Sequence, residues 1–139
     1  MTFEDCESKG LIRKSENAKD RVKQSLALGS KFLKSAQKNF QMDENEICEI
    51  IAYNALFHYA RALLFNKGYI ERSHSCLFIA LKRLYPQLGE AINEADRIRV
   101  ERHNLQYDGF ASDAKSALYV LEFVRKFGKT SEELLGRQK

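Results

Sequence analysis

Apolar residues recur every three or four positions along most of this chain, and almost nowhere in strict alternation. From about Ser15 to Asn39 an inward stripe runs through Ala18, Val22, Leu26, Gly29, Leu33 and Ala36, the spacing of one face of an amphipathic helix. Asp43 is placed to cap a second helix that runs to about Lys67 and stops at Gly68. In that segment Ile47, Ile50, Ile51, Ala55, Phe57, His58, Leu63 and Leu64 spread too widely for one thin stripe, so it is expected at the centre of the fold. Ser73 caps a third, shorter helix that ends near Tyr85, since the residue before Pro86 is steered out of helical geometry. A fourth helix is predicted from about Leu88 to Leu105, ended by Gly109. A fifth, capped by Ser112, carries Ala114, Ala117, Leu118, Leu121, Val124 and Phe127 up to Gly128.

Residues 1–12 are a short lead-in, and Leu134 and Leu135 allow one further turn near the end. No alternating strands, internal repeat, low-complexity tract or linker interrupts this pattern. The expectation is one all-α domain over residues 1–139, with its core at about 15–128: an antiparallel bundle of about five helices.

The fourth helix carries the chemistry. Leu88, Ile92 and Ala95 share a face that continues, at about 100° per residue, into Arg99, Arg102, His103 and Gln106. Arg97, Arg99, Arg102 and His103 fall within seven residues, with Tyr107 just beyond. An apolar stripe that turns cationic either runs out into solvent or lines a polar cleft. A phosphate suits such a cleft, because arginine forks match its oxygens and histidine moves protons near neutral pH. Three readings stand: a catalytic centre, a nucleotide or RNA contact without turnover, and an ion-pair cluster with Asp96 and Glu101.

Charge supports an anionic partner only mildly: the net charge is +4 over 139 residues. Arg13, Lys14, Lys19, Arg21, Lys23, Lys31, Lys34 and Lys38 face only Glu16 and Asp20 in the first third, which reads as a solvated helix face. His58 reads as a hydrogen-bonded core histidine. His74 follows a cap and either packs there or contacts a phosphate. Tyr53, Phe57, Tyr59 and Phe65 read as core and dimer contacts rather than as a base-stacking platform.

The three histidines are too far apart for a metal site, and no phosphate-cradling glycine loop is present, so neither a metal nor another cofactor is expected. Cys6, Cys48 and Cys76 lack metal or redox spacing, and Cys48 and Cys76 read as buried free thiols of a reducing compartment. With no apolar run long enough to span a membrane and no signal-like N-terminus at Met1–Asp5, the expected setting is cytoplasmic, without membrane contact.

Residues 52–79 (Ala-Tyr-Asn-Ala-Leu-Phe-His-Tyr-Ala-Arg-Ala-Leu-Leu-Phe-Asn-Lys-Gly-Tyr-Ile-Glu-Arg-Ser-His-Ser-Cys-Leu-Phe-Ile) resemble the central segment of HEPN-domain proteins. There a helix rich in aromatic and small residues leads to a Lys-Gly turn, and a Ser-His opens the next helix. A later helix carries an arginine-containing polar motif and often ends in Tyr-Asp, as Tyr107-Asp108 does here. The resemblance spans roughly residues 16–127. It implies a helical bundle that forms a homodimer and acts as a metal-independent endoribonuclease, often the toxin of a toxin–antitoxin pair with a nucleotidyltransferase partner. The alternative it implies is a non-catalytic module that binds a nucleotide or such a partner.

The family signature is an arginine followed after four to six residues by a histidine. Arg97 and His103 have that spacing, while a second register places Arg102 at the arginine and Tyr107 where the histidine would stand. Both registers stay open, so Arg97, Arg102, His103 and Tyr107 are the catalytic candidates. Arg99, Gln106 and His74 are the candidates for substrate contact.

Overall fold

The computed structural model describes residues 1–107, 109 and 111–136, with Gln106 described by its backbone alone. Helices dominate: α1 (Phe3–Ser8), α2 (Val22–Gln41), α3 (Asn45–Asn66), α4 (His74–Leu84), α5 (Gly89–Tyr107) and α6 (Ala114–Gly136). Short 3-10 turns at Ala18–Arg21 and Pro86–Leu88 lead into α2 and α5. The expected all-α bundle is therefore present, with one more helix than the hydrophobic pattern marks out.

The central segment is central. α3 packs against α2, α6, α4 and α5. Ala52, Tyr53, Leu56, Tyr59, Leu63 and Leu64 are all buried along it. It reaches closest to α2 and α6 where side chains vanish. The Tyr59 ring lies between Gly29 and Gly128, at both of which a Cβ would come within 3 Å of ring carbons. Elsewhere polar pins hold the helices. The Ser25 hydroxyl donates to the His58 carbonyl at 2.7 Å, and the buried Tyr85 hydroxyl donates to the Leu63 carbonyl at 2.7 Å. A buried hydroxyl needs such a partner to avoid a desolvation cost.

Five local expectations are corrected. First, a small antiparallel pair exists: β1 (Ile12–Lys14) and β2 (Tyr69–Glu71) meet with Ile12 opposite Glu71 and Lys14 opposite Tyr69. Three-residue strands are too short for alternation to show in the sequence. Second, α6 does not stop at Gly128 but continues to Gly136, because that glycine serves helix packing rather than termination. Third, Asp43 is not a helix cap. It takes a left-handed φ of 61°, which aspartate tolerates better than most residues, and the cap position falls to Glu44. Fourth, Ser112 leaves capping of α6 to Asp113, whose carboxylate accepts the Ser116 N–H at 2.8 Å. Fifth, Cys76 is not a free thiol: it forms a disulfide with Cys6 that ties α1 to the start of α4. Cys48 alone is free, and burial pushes its thiol up to about 11.

Ser73 caps α4 as expected, accepting the Cys76 N–H at 3.2 Å. This cap fixes His74 as the first residue of the helix. Among the described residues no helix is long and apolar enough to cross a membrane.

Candidate functional site

α5 divides its cations between two sides. Ile92, Ala95 and Ile98 are buried and fix its inward face. Arg99 and Arg102 follow on from that face and are half-buried. Arg97 lies about 200° around the helix from Arg99. There it pairs with Glu94 and Glu101, with its Cζ 5.8 Å from the centre of the Tyr119 ring. The Tyr119 hydroxyl donates to the same Glu94. Arg97 is thus occupied in an exposed ion-pair network on the α6 side. His103 and Tyr107, four residues apart, bring their rings to 4.9 Å, and both are exposed.

The basic side of α5 meets groups that lie far away in the chain. The Arg102 guanidinium sits over the ring of Tyr53 from α3, 4.6 Å from its centre. Tyr53 is fully buried, and its hydroxyl is hydrogen-bonded to Nδ1 of His74 at 2.9 Å. His74 stacks on Phe57 with ring centres 4.1 Å apart. Arg99 is held from below by Asp96, which accepts its Nε–H at 2.7 Å.

Burial pushes the Tyr53 hydroxyl up to about 12, so the phenol stays protonated in its hydrogen bond with His74. Desolvation against its ring neighbours, then the charges of Arg102, Arg99 and Arg61, hold His74 below the ordinary histidine range. Three guanidinium groups thus lie near one imidazole, two of them paired with Asp96 and Glu71.

The opposite flank is acidic. Glu49, Glu101, Asn104, Leu105 and Ser112 line a cavity of about 190 Å³ between α3 and the end of α5. The Ser112 hydroxyl donates to Glu49, and its N–H donates to Glu46 at 3.1 Å. Burial, with repulsion from Glu101, Asp113 and Glu46, raises Glu49 above the ordinary carboxylate range. This pocket has the wrong sign for a phosphate. It anchors the connection from α5 to α6 instead.

The HEPN-domain family model matches residues 22–134, from the first residue of α2 into the last turns of α6. The chain belongs to the HEPN-domain family. Among curated proteins none matches it significantly. The matched HEPN span contains α2 through most of α6, and α1 and β1 lie ahead of it.

Within the HEPN domain, the nominated residues separate. Arg99, Arg102 and His74 come together at the junction of α3, α4 and α5. His103 and Tyr107 lie beside them on the exposed edge of α5, and Arg97 is turned away. The side chain of Gln106, and Asp108 of the Tyr-Asp motif, lie outside the described residues. Tyr53 is the member of this cluster that the sequence did not nominate, because its partner stands 21 positions away on another helix. The available signal was indirect: a cap that fixes His74 at the start of α4, opposite an aromatic position of α3.

Proposed function

We propose that this HEPN domain is an RNA-directed, metal-independent endoribonuclease that acts at the basic edge of α5. The observation that carries this reading is the convergence of Arg99 and Arg102 with Tyr53 and His74, beside an exposed His103 and Tyr107. In the proposed reaction a histidine takes the proton of a ribose 2′-hydroxyl, and that oxygen attacks the adjacent phosphorus. The bond to the 5′-oxygen breaks, and a proton is delivered to it. The products are a 2′,3′-cyclic phosphate and a 5′-hydroxyl.

Arg99 and Arg102 would stabilise the charge that builds on the phosphoryl oxygens. Tyr53 clamps Arg102 from beneath, so little side-chain freedom remains to be lost in the transition state. Base and acid are separate tasks. A two-fold homodimer that brings two α5 helices together would supply both from paired His103 residues. In this reading the protein works in the cytoplasm as the toxic member of a pair with a nucleotidyltransferase.

A second reading is a module that binds a nucleotide or such a partner without turnover. It is favoured by the position five residues after Arg102, where an exposed tyrosine, Tyr107, stands in place of a histidine. One assay separates the two readings: cleavage of a structured RNA pool in EDTA by wild type, His103→Ala and Arg102→Ala. The ribonuclease reading expects cyclic-phosphate ends that fall by roughly 10²-fold or more in both variants. Bound but intact RNA with folded wild-type protein would select the binding module.

A further inference from the structure

Tyr53, Phe57, Arg61 and Phe65 follow one another at four-residue intervals along α3 and form one inclined ridge on its surface. The ridge and the groups packed on it form a chain of rings and guanidinium groups. From α5 outward, Arg102 lies over Tyr53, Tyr53 is bonded to His74, and His74 stacks on Phe57. The Arg61 guanidinium then lies 5.4 Å from the centre of Phe57 and 4.9 Å from that of Phe65. Arg21, from the turn before α2, closes the series 5.8 Å from the centre of Phe65. At this end Arg21, Gln24, Leu28, Arg61 and Phe65 line a cleft of about 360 Å³.

We propose that this ridge is a binding track for single-stranded RNA that leads away from the α5 arginines. The proposal rests on the reading of the α5 edge as an RNA-directed site and extends it by naming the strand's path. Chemistry selects the ligand. Tyr53 and Phe65 are buried and serve as floors that hold the arginines flat, while His74 is exposed and Phe57 half-buried. A surface that sets the exposed His74 and half-buried Phe57 rings between the guanidinium groups of Arg102 and Arg61 matches a strand that offers both phosphates and bases free to stack.

A duplex hides those faces, and an acidic peptide has none to offer. Glu71 accepts the Nε–H of Arg61 at 2.8 Å, which fixes the guanidinium plane between its two rings. The ridge from Tyr53 to Phe65 is about 18 Å long at helical rise, enough for a strand to lie along it rather than touch it at one point.

The test uses 2′-O-methyl oligonucleotides, which keep phosphates and bases but lack the nucleophilic hydroxyl, so binding is read apart from cleavage. Fluorescence anisotropy would compare a strand of about ten nucleotides, one of about three, and a duplex. Proteins are wild type, Phe57→Leu and Arg21→Glu, with circular dichroism confirming their fold. The track predicts that Phe57→Leu weakens the long strand at least about fivefold. It predicts that Arg21→Glu lowers the salt dependence of that binding by about 0.7 in log–log slope for each lost phosphate contact. The short strand, held at the α5 end, should be insensitive to Arg21→Glu.

Equal affinity of both variants and wild type for the long strand would overturn the track, whatever the cleavage assay shows. So would binding of duplex or of polyglutamate as tight as that of single strand. Conversely, intact RNA in the cleavage assay together with weakened binding in the variants would remove the ribonuclease reading and leave the track standing.

Discussion

The tightest point of the bundle gives the sharpest stability prediction, at Gly128→Ala. A methyl built on Gly128 would lie 2.6 Å from Cε2 and Cζ of the Tyr59 ring. Ordinary carbon–carbon contact begins near about 3.5 Å, so something must move by about 1 Å. The ring has nowhere to go. Its other edge faces Gly29, where a Cβ would already stand 2.8 Å away, and Tyr59 itself is buried.

Overpacking of this kind costs about 1–3 kcal/mol, and the boxed ring argues for the upper end. Alanine in a helix recovers about 1 kcal/mol over glycine, which leaves a net loss of about 2 kcal/mol. For a chain of this length that corresponds to a melting temperature lower by roughly 6–8 °C. Thermal unfolding followed by circular dichroism reads it directly. A double-mutant cycle with Tyr59→Leu then tests the cause, since removing the ring should make Gly128→Ala neutral or stabilising. An unchanged or higher melting temperature for Gly128→Ala alone, or an absence of coupling to Tyr59, would refute the argument that the ring is boxed in.

Two further predictions concern charge and covalent closure. The Cys6–Cys76 bridge spans 70 positions, and the chain-entropy model assigns such a loop about 4 kcal/mol. Reductant, or Cys6→Ser, should therefore lower the melting temperature by roughly 12–16 °C, and an equal melt with and without reductant would show that the α1 contact is held by packing alone. The second prediction concerns acid. His58 and His74 are both held below their ordinary value of 6.5, first by desolvation. The unfolded chain then takes up protons before the folded one does, so these two groups must erode stability as pH falls below about 6.5. Glu49 is shifted upward, so its acid response has the opposite sign. A melting temperature that falls between about pH 7 and 5.5, with a shallower slope in His58→Phe, is expected. A flat profile across that window would contradict the burial argument.

The hydrophobic stripes made the helices legible because a helix announces itself over many turns. Leu26, Leu33 and Ala36 on α2, and Ala117, Leu121 and Val124 on α6, repeat one signal until it is unmistakable. Features that occur once were not legible. Gly128 carries the same letter whether it ends a helix or admits a tyrosine, and only the position of Tyr59 distinguishes the two. Cys6 and Cys76 are joined by tertiary folding alone, and an odd number of cysteines argues against any particular pair. That bridge also removes one of the two supports for a reducing compartment, since stable disulfides are uncommon there.

The arginines of α5 make the same point with functional consequences. In the sequence Arg97, Arg99 and Arg102 look interchangeable, and the Arg97–His103 and Arg102–Tyr107 registers both stay open. Helical geometry separates them, since a two-residue step turns a side chain about 200°. Arg97 falls on the flank of Glu94 and Glu101, where two carboxylates already answer it. Arg102 falls on the flank of Tyr53 and His74, where a ring supports its cation and Asp96 holds the neighbouring Arg99. A phosphate approaching α5 would meet the acidic cavity of Glu49 and Glu101 on one side and this supported basic edge on the other. In the proposed ribonuclease reading the phosphate is taken on the Arg102 flank, where the exposed His103 and Tyr107 lie beside it. Activity that survives Arg97→Ala but not Arg102→Ala is the outcome that reading expects, and the reverse pattern would place the phosphate on the other flank.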